Sequence, residues 1–153
     1  MRQRPIKVLA VSSGGGHWVQ LLRLRPAFDG CEVVFATVRN SYRSDLEPHA
    51  RFRRIPDASM WQKHRLILSA VAALWIVLVE RPDVVVSTGA APGYFAVRFG
   101  AMTGARTIWI DSVANAEQLS LSGREAGKHV DHWITQWPHL ATNKGPFYHG
   151  SVL

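Results

Sequence analysis

Three stretches of this 153-residue chain place reactive or ligand-binding residue types beside glycine. The first is "VLAVSSGGGHWVQLLRL", residues 8–24, where an apolar run meets two serines, three glycines and His17. An imidazole titrates near neutral pH and suits taking a proton from a hydroxyl. Ser13, Gly14, Gly15 and Gly16 precede a helical pattern, so their backbone N–H groups could hold phosphate or sugar oxygens at a helix N-terminus. The stretch is not a Walker A loop, because no Gly-Lys-Ser/Thr follows. It is a poor dinucleotide fingerprint too: Gly14 and Gly16 fit G-x-G, but Val19 takes the third glycine place. A tight strand-to-helix turn carrying an exposed histidine accounts for the same residues.

The second stretch, "STGAAPGYFAV", repeats this logic with Ser87, Thr88 and Gly89. Its other reading is a proline-started helix whose small residues allow close packing. The third is "DSVANAEQLSLSG", which begins with Asp111 and Ser112 and contains Glu117. A carboxylate there could bind sugar hydroxyls or accept a proton; Asp111 could equally cap the following turn. No Cys/His cluster has zinc-ligand spacing, so no metal is expected. The lone Cys31 precludes an internal disulfide, fits a reducing compartment and reads as a small buried apolar residue.

The elements that must position these residues alternate. Strands are expected at 6–12, 32–37, 83–88, 106–111 and 132–136, the last closing the sheet, with a weaker one at 51–55. Helices are expected at 17–28, 63–80 and 92–103. Such alternation predicts one α/β domain over residues 1–153: a Rossmann-like parallel sheet with helices on both faces. Ligands of such sheets lie beyond the carboxyl ends of the strands. That rule gathers 12–17, 37–40, 87–89, 111–112 and 136–137 onto one edge.

The net charge of +7 and hydrophobic content of 47% describe a globular chain with an anionic partner. No recognition-helix or RNP-like signature accompanies the charge, so nucleic acid is not expected. From Leu66 to Val79 only Ser69 is polar, whereas an outer helix of an α/β sheet needs a solvent face. Fourteen residues make roughly 21 Å of helix, short for a hydrocarbon core of ~30 Å. Either the domain buries this helix wholly, or a partner or a membrane leaflet covers its second face. Trp61 and Trp75 suit an interface, and Arg51, Arg53, Arg54, Lys63 and Arg65 could meet anionic head groups.

Taken together, "VSSGGGHWVQLLRL", "VVVSTGAAPGYFAVRFG", "IDSVANAEQLSLSGR" and "HWITQWPHLA…YHGSVL" resemble the small subunit of two-component glycosyltransferases. That family includes the membrane-anchor subunit of the asparagine-linked-glycosylation N-acetylglucosaminyltransferase and bacterial PssD-like exopolysaccharide and capsule proteins. The resemblance runs over nearly the whole chain in the same order. It implies a domain equivalent to the N-terminal half of a GT-B glycosyltransferase of the MurG kind, active only with a C-terminal-half-like catalytic partner that holds most of the nucleotide-sugar donor. It further implies a lipid-diphosphate-linked saccharide acceptor, attachment at the cytoplasmic face of the membrane, and no bound cofactor or metal. His17 matches the histidine of the family's glycine loop and becomes the candidate base. Gly14–Gly16 and 87–89 become holders of diphosphate or sugar oxygens, with Arg39 and Arg98 as further diphosphate contacts. Two features depart from the family. Eukaryotic anchors begin with a transmembrane helix and this sequence shows none, which moves attachment to 66–79 and its basic flank, or to the partner. Family members also often show an acidic residue, a serine and then an arginine, where this sequence has Asp111, Ser112 and Asn115. The residue-level rivals are a non-catalytic anchor of a partner enzyme and a stand-alone nucleotide-binding protein.

Overall fold

The computed structural model describes residues 4–59 and 61–152. Its centre is a seven-stranded, wholly parallel sheet: β1 (Lys7–Ser12), β2 (Glu32–Thr37), β3 (Arg51–Arg54), β4 (Val84–Gly89), β5 (Arg106–Ile110), β6 (His132–Thr135) and β7 (Phe147–Tyr148). The spatial order β3-β2-β1-β4-β5-β6-β7 reverses between β1 and β4. Such a reversal opens a crevice at the carboxyl edge, the general ligand position of doubly wound sheets.

Strand alternation divides the core in two. Leu9, Val11, Val34, Ala36 and Val85 face α2 (Lys63–Glu80) and α3 (Ala90–Met102), whose Ala73, Ile76, Val77, Ala96 and Val97 complete that layer. Ala10 and Phe35 face the opposite way, against Trp18 and Leu21 of α1 (Gly16–Arg23). Helices therefore lie on both faces, as the sequence predicts.

Three elements differ from expectation. The helix expected over 17–28 ends at Arg23 and resumes as a 3₁₀ turn at Arg25–Phe28. Pro26 lacks an N–H and its ring would strike the carbonyl one turn back, so an α-helix cannot run through it. A short α4 (Leu121–Ala126) forms in the polar segment after β5, with the Ser120 hydroxyl accepting from the Gly123 N–H at its N-cap. The two-residue β7 adds a strand beyond β6, pairing Ile134 with Phe147 and Thr135 with Tyr148.

The long helix α2 is not buried within the domain. Ile67, Leu68, Val71, Leu74, Trp75, Leu78 and Val79 are all exposed, and Trp61 just before it is 94% exposed. Their spacing traces one outward stripe, while Ser69, Ala73, Ile76, Val77 and Glu80 face the sheet. Leu66, expected on the outer face, is partly buried.

Candidate functional site

His17 stands at the reversal point, one residue into α1. Its Nδ1 lies 2.9 Å from the Thr88 carbonyl at the end of β4, and the Thr88 hydroxyl donates to the His17 carbonyl at 2.7 Å. A carbonyl can only accept, so Nδ1 carries the hydrogen. In the neutral ring Nε2 then keeps a free lone pair, and no hydrogen bond engages it among the described residues. This double clasp joins the first turn of α1 to the end of β4.

Glycine is required where that clasp closes. Gly89 sits at φ +138°, and a Cβ there would lie 2.5 Å from His17 Nδ1. Gly15, at φ +65°, makes the turn into α1, and its N–H donates to the Tyr42 hydroxyl at 2.9 Å. Tyr42 belongs to the 3₁₀ turn Asn40–Asp45; it stacks on Trp18 at 5.4 Å, and the Arg39 guanidinium lies over its ring at 5.9 Å. Trp18 is fixed in turn by its indole N–H, which donates to Asp45 at 2.8 Å. The glycine loop thus has a wall, Tyr42, that the sequence did not single out. An aromatic residue in a polar turn after a strand end was the available signal.

The edge assembled from sequence holds, but its residues divide by chemistry. Gly14, Gly15, Gly16 and His17 remain at the surface or partly open, and so does Glu117 in the loop after β5. Ser13 is nearly buried, and its carbonyl accepts from the Ser12 and Thr37 hydroxyls. The Ser87 hydroxyl is buried and accepts from the Gly89 N–H at 3.1 Å, so it shapes the turn and is closed to a ligand.

The Asp111 expectation needs correction. This carboxylate is buried and satisfied internally: Trp109 Nε1 donates to it at 3.1 Å, the Ser120 N–H at 2.9 Å, the Ser120 hydroxyl at 2.5 Å and Asn115 Nδ2 at 3.3 Å. It fastens the start of α4 and cannot reach a sugar. Ser112 is also buried, with its hydroxyl accepting from Gln20 Nε2 and the Ala114 N–H. Arg98 is corrected as well. It lies eight residues into α3, about 12 Å along the axis from the crevice.

The basic flank divides similarly. Arg51 and Arg53, on one face of β3, pair with the buried Glu80 carboxylate at 2.7 and 2.6 Å, and Lys7 joins them at 2.9 Å. Arg51 also pairs with Glu32, and Arg53 lies over the Trp75 ring at 5.4 Å. These arginines neutralise a buried acid, so part of the charge expected for head groups is taken up inside the domain. Burial alone pushes the Glu80 carboxyl upward; hydrogen bonds from Lys7 and Arg53, with Arg51 close by, outweigh it and hold the group below its ordinary value. Lys63 and Arg65 are exposed at the start of α2 and make no ion pair among the described residues. Also among the described residues, no three His, Cys, Asp or Glu side chains gather as a metal site. No helix there is long and apolar enough to cross a membrane.

Known proteins match this chain in sequence and in fold. MurG from Acinetobacter baumannii superposes with a TM-score of 0.78 at 11% identity, over 97% of this chain and 46% of that one. A UDP-N-acetylglucosamine 2-epimerase from Rickettsia bellii gives 0.72 at 14% identity, also over 97% and 46%. The fold is that of the N-terminal domain of GT-B glycosyltransferases, and the chain spans less than half the length of either protein. In sequence, a UDP-N-acetylglucosamine transferase subunit of Yarrowia lipolytica is 25% identical over 96% of this chain and 81% of the relative. Its counterpart from Eremothecium gossypii is 27% identical over 92% and 76%. The family model "Oligosaccharide biosynthesis protein Alg14 like" matches residues 27–152, and the chain belongs to that family.

Proposed function

We propose that this chain is the acceptor-side subunit of a two-component, inverting glycosyltransferase. It would act with a GT-B C-terminal-half-like partner that holds the nucleotide-sugar donor. The relatives' description as UDP-N-acetylglucosamine transferase subunits supports UDP-N-acetylglucosamine as that donor. The acceptor is a polyprenyl-diphosphate-linked saccharide of lipid-linked oligosaccharide or exopolysaccharide synthesis. The observation that carries this reading is His17, clasped at the reversal point with Nε2 unengaged.

The chemistry follows from that geometry. In an inverting displacement the acceptor hydroxyl attacks the anomeric carbon and the nucleoside diphosphate departs. His17 Nε2 takes the hydroxyl proton, and the Thr88 carbonyl, holding the Nδ1 hydrogen, steadies the imidazolium that forms. Backbone N–H groups of Gly14–Gly16 and the exposed Arg39 face the acceptor's anionic oxygens. No residue of this chain is assigned to a cofactor.

The bare stripe of α2 supports peripheral attachment to an anionic leaflet at the cytoplasmic face. A helix between two parallel strands runs from the carboxyl edge back to the amino edge, so the Lys63 end of α2 lies at the same edge as His17. Trp61, Lys63 and Arg65 then sit where head groups and a lipid-linked acceptor would be. A second copy of this chain suits the stripe less well, since antiparallel α2 helices would bring Lys63 and Arg65 toward Arg81.

His17→Ala in the reconstituted pair tests the catalytic reading. Turnover should fall by more than about tenfold with partner binding intact, the usual worth of a general base. Unchanged turnover would leave this chain a non-catalytic anchor. Lys63→Glu with Arg65→Glu should weaken co-sedimentation with phosphatidylserine-containing vesicles, while retention equal to that on neutral vesicles would remove the electrostatic contribution.

A further inference from the structure

Gln20 lies one helical turn after His17 on α1, and its side chain is almost wholly buried. A buried amide is costly unless satisfied. This one is satisfied by the start of its own helix and by two other segments of the carboxyl edge. Its Nε2 donates to the Gly16 carbonyl at 3.2 Å and to the Ser112 hydroxyl at 3.0 Å. Its Oε1 accepts from the Val113 N–H at 3.0 Å and from Gln136 Nε2 at 2.6 Å. Gln136 is buried too; its amide also donates to the Asp111 carbonyl at 2.9 Å, and its Oε1 accepts from the Val152 N–H at 2.9 Å. The Val152 carbonyl returns to α1 by accepting from Arg23 at 2.9 Å.

Two glutamines therefore close a circuit through the glycine loop, the turn after β5, the end of β6 and the C-terminal strap 149–152. Pairing of β5, β6 and β7 holds the last three near one another, and the Asp111 N–H donates to the Ile134 carbonyl at 2.8 Å, but β4 separates β1 from β5, so no ladder holds the glycine loop in register with them. The circuit sits under the first turn of α1, whose orientation aims the His17 ring. The Gln20 amide is fully engaged within the chain and acts only through what it holds.

We propose that Gln20 is the positioning residue of the His17 edge, coupling the glycine loop to the Ser112–Val113 turn and, through Gln136, to the C-terminal strap. The proposal rests on the acceptor-side reading of His17 only for its effect on turnover. Its structural content stands on the circuit alone.

Amide hydrogen exchange on the full chain reads the circuit without activity. Gln20→Met keeps the length and removes all four hydrogen bonds. Exchange should rise by about tenfold or more, the scale of a local opening, at 13–18, 111–113 and 149–152 together, with 8–11 in β1 still protected. Gln20→Glu keeps the shape and the acceptor for Val113 and Gln136; it loses the donor to Gly16 and to Ser112, but the Ser112 hydroxyl can turn and donate to the new carboxylate whereas the Gly16 carbonyl cannot. It should release 13–18 while 111–113 stays protected. A rise confined to 13–18 in Gln20→Met, or equal loss of protection in β1 in both variants, overturns the proposal. In the reconstituted pair, Gln20→Met should lower kcat by about tenfold with the KM for UDP-N-acetylglucosamine held. An unchanged kcat overturns the positioning role. If instead His17→Ala costs nothing while the exchange pattern appears, the catalytic reading falls and the circuit remains.

Discussion

The carboxyl edge around His17 and the outer face of α2 solve opposite problems. At the edge, polar groups are taken out of water and each finds a partner: Asp111, Ser87, Gln20 and Gln136 are all buried and bonded. On α2, large apolar side chains are left largely in water, with only the Arg53 guanidinium over Trp75. Fixing atoms for chemistry requires satisfied polar contacts, because an unsatisfied buried group is expensive and a satisfied one is directional. A face awaiting a lipid leaflet needs only apolar area and no fixed partner. One device orients the second region. Glu80, at the last turn of α2, is drawn against β1 and β3 by Lys7, Arg51 and Arg53, and this sets which side of the helix faces outward.

Removing that device should have the largest effect. Glu80→Ala would leave Lys7, Arg51 and Arg53 facing one another over a buried gap, a loss of about 3 kcal/mol by analogy with broken buried pairs. Partial exposure of Arg51 and Arg53 makes this an upper figure. Urea unfolding measures it; a loss below about 1 kcal/mol would mean that α2 is seated by apolar packing alone.

Next is Gly89→Ala, which sharpens the edge side of the comparison. The added Cβ collides with the His17 ring and the backbone is strained at φ +138°, costing about 1–3 kcal/mol. Turnover of the reconstituted pair should fall as far as with His17→Ala, because the clasp to Thr88 is broken. A variant that unfolds earlier yet turns over normally would separate the clasp from the chemistry.

The pH dependence of Glu80 is smaller. Its carboxyl is held below the ordinary value in the folded chain, so its contribution to stability is fully present above the unfolded value of about 4.3. That contribution is lost as pH falls through the folded value. The urea midpoint of the parent chain should therefore drop more steeply below about pH 4.5 than that of Glu80→Gln. Parallel curves would assign the acid response to other carboxylates.

The smallest effect on stability, and the largest on location, belongs to the stripe. Ile67→Ser, Val71→Ser and Leu78→Ser together should move unfolding free energy by no more than about 0.5 kcal/mol each, since exposed positions lose little on truncation. Vesicle co-sedimentation should nevertheless be abolished. Destabilisation without loss of vesicle binding would place the stripe in the core economy of the domain and erase the contrast.

Much of this protein is legible in its sequence. Apolar runs such as 32–37 and 83–88 can only be buried strands, and their alternation with helical periods fixes a parallel sheet and its ligand edge. The glycine loop with His17 is local, because a chain turn and a helix start are written in adjacent residues. An over-apolar α2 is equally visible as composition, though whether the domain buries it is not. What only the tertiary structure decided comes from residues distant in sequence. Asp111 became a fastener for Ser120, nine residues away, and Arg51 and Arg53 became partners of Glu80. Gln20 meets Gln136 across 116 positions, and Tyr42 closes the glycine loop from the neighbouring strand end. A polar side chain's type states what it can bond. Whether it bonds solvent, ligand or its own chain depends on where the sheet brings it, and that is a property of packing rather than of any short run of residues.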